Sequence, residues 1–118
     1  MKPAFEPGTG YLKVTLAGKY SLPGLREAIA AIGAEADRGS HARALVDISD
    51  LQGEISELDR YDAGVFAAER LGRMERVVVL SGLHFRADHF FENVARNRGL
   101  QVRETRDPAE AIAWITSP

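Results

Sequence analysis

The segment Arg76-Val77-Val78-Val79-Leu80-Ser81 decides the fold of this chain. Its continuous apolar run is typical of a strand that is covered on both faces of a sheet. A second compact apolar strand is predicted for Ala44-Leu45-Val46-Asp47-Ile48, and polar residues follow it at Ser49 and Asp50. Two strands of this kind predict a sheet with a buried centre that helices cover.

More polar strands flank this centre in the sequence. Tyr11 to Ala17 alternates between apolar and polar side chains, which predicts a strand with one wetter face at the edge of a sheet. Pro3 and Pro7 precede it and indicate a short extended piece and a turn. Gln101 to Thr105 is short and polar, so we predict that it forms the other edge strand.

Four segments with capping residues and helical periodicity alternate with these strands. The first runs from Ser21 to about Gly39, and the second from the capping box Ser56-Glu57-Leu58-Asp59 to Gly72. The third spans roughly Arg86 to Asn97, and the fourth opens at Asp107-Pro108. The stripes expected to be buried are Leu22, Leu25, Ile29, Ile32 and Ala36 in the first helix, Leu58, Tyr61, Val65 and Ala68 in the second, Ala87, Phe90, Phe91, Val94 and Ala95 in the third, and Ala111, Ile112 and Ile115 in the fourth.

The resulting order, β-β-α-β-α-β-α-β-α, predicts one α/β domain over residues 1–118. Strands that alternate with helices imply right-handed crossovers and a small, mixed, mostly parallel sheet. The chain is nearly neutral, with a net charge of -2, which argues against nucleic acid or an anionic membrane as a partner. It has no cysteine, and apolar runs such as Val77–Leu80 are far too short to cross a bilayer. We therefore expect a cytoplasmic protein without a transmembrane segment.

Four motifs carry a resemblance to a known family. They are Ala44-Leu45-Val46-Asp47-Ile48, Arg76-Val77-Val78-Val79-Leu80, Arg98-Gly99-Leu100-Gln101-Val102-Arg103 and the ending Asp107-Pro108-Ala109-Glu110-Ala111-Ile112-Ala113-Trp114-Ile115. With the order of elements, they make the chain resemble the bacterial SpoIIAA-like (STAS/SEC14 domain) group, which has a STAS-like fold. The ending carries most of this likeness. The resemblance covers almost the whole chain, and its motifs are chiefly structural.

The resemblance implies a binding or regulatory role without catalysis. Anti-sigma-factor antagonists of this class are phosphorylated by a partner kinase on a serine at the start of the second helix, which would fall at or near Ser56. The antagonists have Asp-Ser-Ser/Thr-Gly there, whereas this chain has Ile55-Ser56-Glu57-Leu58. We keep Ser56 as a phosphorylation candidate and favour its plain reading as a helix cap. The name SEC14-like implies instead a pocket for an apolar or lipid-like ligand.

Three other clusters of side chains have residue types that occur in functional sites. Paired carboxylates can hold a cation or perform acid–base chemistry, but caps and a solvated helix face explain the acidic residues better. His84, Asp88 and His89 lack the spacing of a zinc site, so we predict no metal and no cofactor. The arginines near the turn between the third helix and the last strand can hold a phosphate or an acidic partner, but cations at a helix C-terminus that complement its dipole explain them better. The acidic residues are Asp47, Asp50, Glu54, Glu57, Asp59 and Asp62, and the arginines are Arg96, Arg98, Arg103 and Arg106.

Our first hypothesis is a non-catalytic module that binds a protein partner or itself through the second helix and the loop before it. The alternative is a carrier or sensor of an apolar, lipid-like ligand bound between the second and third helices. A weaker alternative is an enzyme that uses the acidic crevice. Phe66 is off the predicted stripe of the second helix and is therefore a candidate for an exposed contact. The candidate binding residues are Asp50, Asp59, Phe66, Phe85 and Phe90.

Overall fold

The computed structural model describes all 118 residues, Met1 to Pro118, and confirms the predicted order of strands and helices. One short 3-10 helix, Gly82–His84, is inserted after the fourth strand. The elements are β1 (Ala4–Pro7), β2 (Leu12–Lys19), α1 (Leu22–Gly39), β3 (Arg43–Gln52), α2 (Glu57–Leu71), β4 (Arg76–Leu80), α3 (Phe90–Asn97), β5 (Val102–Thr105) and α4 (Pro108–Thr116).

The sheet contains its five strands in the order of the sequence, β1-β2-β3-β4-β5. β1 is antiparallel to β2, and the other three pairs are parallel, so the sheet is mixed and mostly parallel as predicted. The prediction that Tyr11 to Ala17 forms an edge was wrong, because β1 pairs with the outer side of β2 and places Phe5 opposite Val14. The edges are β1 and β5.

The two faces of the sheet have different cores. Right-handed crossovers between adjacent parallel strands carry the connecting helices to one side, and α1, α2 and α3 share a core there with Val14, Val46 and Val77. α4 lies on the opposite side, where Ala111 and Ile115 pack with a separate small cluster from β3 and β4. β4 is therefore covered on both faces, as its apolar run predicts.

The buried side of α2 differs from the predicted stripe. Leu58 and Tyr61 are exposed, Val65 is half-buried, and only Ala68 of the four is buried. The helix packs instead through small residues, because it approaches its neighbours closely: a Cβ added at Gly64 would lie 2.8 Å from Val94 Cγ1 of α3. The buried residues of α2 are Ala63, Gly64, Ala67, Ala68 and Leu71.

The third and fourth helices also differ in part from their predictions. α3 begins at Phe90 and not near Arg86, because His89 adopts the left-handed conformation (φ 52°) and ends the helical geometry on that side. Ala87 is consequently exposed outside the helix, and Ile112 of α4 is exposed as well. Asp107 caps α4 as predicted, since its carboxylate accepts a hydrogen bond from Ala109 N. No helix has the length and apolarity that crossing a membrane requires.

Candidate functional site

A crevice of about 560 Å³ lies at the carboxyl ends of β3 and β4. Open α/β sheets place their ligand sites at this end, because the loops that follow the strands diverge there. Seven of its ten lining residues are not hydrophobic. The crevice is lined by Ser49, Leu51, Gln52, Gly53, Glu54, Ile55, Arg60, Leu83, His84 and Arg86.

Ser56 sits beside this crevice and caps α2. Its hydroxyl oxygen accepts a hydrogen bond from Asp59 N at 3.1 Å, and the side chain is exposed. Asp59 does not complete the predicted capping box, because its carboxylate accepts a hydrogen bond from Tyr20 OH at 2.9 Å. Burial and this hydrogen bond raise the pKa of the Tyr20 phenol far above its ordinary value, so the phenol stays neutral. Asp59 thus ties α2 to the chain after β2.

Arg60 holds the two loops of the crevice together. Its Nε donates to Ile55 O at 3.1 Å, in the loop before α2, and its Nη1 donates to His84 O at 3.0 Å, in the 3-10 turn. The His84 ring strengthens this link through a hydrogen bond of 2.8 Å between Nε2 and Leu51 O. Arg60 was missed in the sequence because its partners are backbone carbonyls that leave no pattern of residue types.

Three large apolar side chains are exposed on α2 and on the 3-10 turn that follows β4. Leu83 in the 3-10 turn is 100% exposed, Leu58 in the first turn of α2 is 77% exposed, and Tyr61 is 43% exposed. The hydrogen bond from Arg60 to His84 O joins the two segments that carry them. We refer to Leu58, Tyr61, Leu83 and the loop Gly53–Ser56 as the α2 surface.

The aromatic candidates do not meet in one site. Phe66 lies half-buried on the far side of α2, where the guanidinium groups of Arg26 and Arg70 lie 5.1 and 4.7 Å from its ring centroid. Phe85 follows the 3-10 turn and makes an edge contact with the His89 ring, with centroids 5.3 Å apart. Phe90 is half-buried at the start of α3. Of these three, Phe85 lies nearest in sequence to the crevice.

The acidic residues point to separate partners. Asp47 accepts hydrogen bonds from the backbone and hydroxyl of Ser49, and Asp62 forms a two-bond pair with Arg26. Asp50 is exposed at the end of β3. No group of three or more histidine, aspartate or glutamate side chains is arranged to hold a metal ion. The arrangement offers an acidic rim and not a convergent acid–base pair.

The histidine and arginine clusters are dispersed as well. Asp88 accepts from Arg86 and from Phe90 N, so it does not face His84. The four arginines reach different places: Arg96 Nε donates to Val102 O, Arg98 donates to Tyr61 OH, Arg103 stacks on Trp114, and Arg106 stacks on Phe85.

An inner cavity of about 80 Å³ lies between the sheet and the helices α1, α2 and α3. Fifteen of its seventeen lining residues are hydrophobic, and the two others are Arg60 and Glu104. Ile55 and Arg60 line both this cavity and the crevice, so they form the wall between them.

Glu104 is the one acidic side chain buried in this core. Its Oε1 accepts from Glu92 N at 3.1 Å at the start of α3, and Glu104 N donates to Glu92 Oε1 at 2.7 Å. Burial raises the pKa of the Glu104 carboxyl, and the Glu92 carboxylate adds to this effect, against the opposing influence of the Glu92 backbone N–H and Arg60.

No protein-family model matches this chain, and no match was found among curated proteins.

Proposed function

We propose that this chain is a SpoIIAA-like protein with a STAS-like fold, and that it works as a non-catalytic module which binds a protein partner through the α2 surface. The succession of one antiparallel strand and four βα units supports the family assignment, because it is the order that the resemblance implies. The dispersal of the acidic and histidine clusters supports a role without catalysis.

The observation that carries the proposal is the position of the exposed apolar side chains. Three of the four large hydrophobic residues exposed on this molecule belong to the α2 surface. Apolar side chains that together form an exposed patch are typical of contacts with a partner, because binding removes them from water. The hydrogen bonds of Arg60 fix both segments, so little order has to be gained on binding.

The charge around this surface favours a different protein over a second copy. Glu54 and Glu57 are exposed beside Leu58 in the chain, and Asp50 is exposed on β3 before the same loop. Of these three, only Glu57 pairs with Arg86. A two-fold contact through the same surface would bring these carboxylates together. A partner with an apolar patch and a basic rim avoids that repulsion.

Site-specific photo-crosslinking in the cell of origin tests this proposal. A photoreactive phenylalanine analogue at position 83 is expected to give one discrete crosslinked product with another protein. The same analogue at position 112, on the exposed side of α4, is the matched control and is expected to give none. The change Leu58→Ser should remove the product at position 83. Equal products at both positions, or a product that Leu58→Ser leaves unchanged, would contradict the proposal.

The lipid-carrier alternative stays a prediction. The inner cavity of about 80 Å³ is smaller than the roughly 150 Å³ that accommodates benzene in an engineered core, so a lipid would require the helices to separate. For this reason the α2 surface is the first proposal.

A further inference from the structure

The inner cavity has two polar lining residues, and these limit the chemical groups that it can bind. Arg60 of α2 and Glu104 of β5 are its only two polar lining residues. The hydrogen bonds of Arg60 use Nε and Nη1, and Nη2 takes part in none of them. A guanidinium group only donates hydrogen bonds, so it selects an acceptor oxygen in a ligand.

Glu104 is the other polar residue of the cavity, and the protein holds it in place. Its Oε1 accepts from Glu92 N, and its Oε2 lies 3.5 Å from Ser81 Oγ, in a largely apolar setting. Burial raises the pKa of this carboxyl. Arg60 is therefore the donor that the cavity offers to an oxygen of a ligand.

The wall between the cavity and the crevice provides a route inward. Ile55 and Arg60 belong to both, and Arg60 closes the wall through its bonds to two loop carbonyls. Exchanging one of these bonds for a bond to a ligand would open the wall without leaving the guanidinium unpaired.

We propose that the inner cavity is a binding site for a small apolar molecule with one carboxylate or carbonyl oxygen, whose oxygen meets Arg60 and whose hydrocarbon part lies among the apolar lining residues. The volume limits the hydrocarbon part to a few carbon atoms, since about 80 Å³ is below the roughly 150 Å³ of a cavity that binds benzene. This ligand site does not depend on the α2 surface having a partner.

The test uses butyrate as the probe, and butylammonium as a control with the same chain and a donor head group. Methyl resonances of Ile29, Ile32 and Val79, which line the cavity, are followed by NMR during titration of the full chain. Butyrate is expected to shift them saturably, and butylammonium is not. Absence of a saturable shift with butyrate, or equal binding of both probes, would overturn the proposal.

Two kinds of variant locate the bound probe. Ala67→Leu fills the cavity and should abolish butyrate binding, and Ala63→Val serves if the larger side chain disturbs folding, which the spectrum of the free protein reveals. Arg60→Met keeps the apolar stem and should weaken butyrate about tenfold or more, the usual scale for losing a charge-assisted hydrogen bond. Binding that is unchanged in a folded filling variant would show that butyrate binds elsewhere and would refute the site.

Discussion

The two faces of the sheet differ in how completely their cores are packed. On the α4 face, Val78, Ala111 and Ile115 are fully buried, and the arginines that begin β3 and β4 donate hydrogen bonds to the end of the helix. Arg43 donates to Ile115 O and Ser117 O, and Arg76 donates to Trp114 O and Ser117 O. The opposite face has three helices, an inner cavity and a wall that one arginine closes. The helix that stabilises the sheet and the features suited to binding therefore lie on different sides of the sheet.

The largest expected effect lies on the α4 face. Ile115→Ala should lower the free energy of unfolding by about 3 kcal/mol, because it removes a fully buried side chain from a small core that cannot rearrange. Urea denaturation measures the change. Ile112→Ala, one turn away and 47% exposed, is the matched control, with an expected loss below about 1 kcal/mol. Equal losses in the two variants would show that the α4 face is not tightly packed.

The arginine links of α4 should contribute less than its buried side chains. Arg76→Ala removes hydrogen bonds to Trp114 O and Ser117 O and a cation–π contact at 5.5 Å, with an expected loss of about 1–2 kcal/mol. Arg103→Ala, which removes only the contact with Trp114, should cost less than about 1 kcal/mol. The two unfolding midpoints in urea give this ranking, and a reversed order would contradict it.

The cap of α2 should show a similar or smaller effect on the other face. Ser56→Ala should lower the free energy of unfolding by about 1 kcal/mol, because Asp59 N loses its acceptor. Ser56→Asp should restore most of the loss, since aspartate is also a preferred cap. Urea denaturation measures both variants. A Ser56→Asp protein that is no more stable than Ser56→Ala would contradict the capping role.

The smallest expected effect is the pH dependence that Glu104 gives to the cavity face. Its pKa is raised in the folded protein by burial, so the native state binds its proton more tightly than the unfolded chain. This contribution to stability is complete below the ordinary glutamate pKa and is lost as the pH rises through the folded value. Glu104→Gln should therefore flatten the decline in stability with rising pH. Urea titrations between about pH 4 and 8 compare the two proteins, and parallel curves would contradict this role.

The strands and the helix caps could be predicted from the sequence because they depend on residues that are close together in the chain. The run Val77–Leu80 and the caps at Ser21, Ser56 and Asp107 each depend on neighbours within a few residues. The buried side of α2 was missed because close helix packing selects small residues, and a search for large apolar side chains finds Leu58 and Tyr61 instead.

Of the two polar residues that line the cavity, only Glu104 fits a pattern that can be recognised in the sequence. Glu104 follows Val102 at the two-residue period of a strand, and this spacing places both side chains on the same, inward face. The role of Arg60 could not be predicted from the sequence. It donates to the backbone carbonyls of Ile55 and His84, which any residue type could supply and which only the fold brings together.

Native mass spectrometry of the protein purified from its own host tests the central claim, partner binding through the α2 surface, most directly. Three samples suffice: the wild type, the double variant Leu58→Ser/Leu83→Ser, and Ile112→Ser as an exposed control on α4. Neither surface change should destabilise the fold, because the side chains are exposed. We predict a complex of one chain with a second protein in the wild type and in Ile112→Ser, and the free chain in the double variant. A wild-type protein that is a clean monomer or a homodimer, or a complex that survives in the double variant, would contradict the claim.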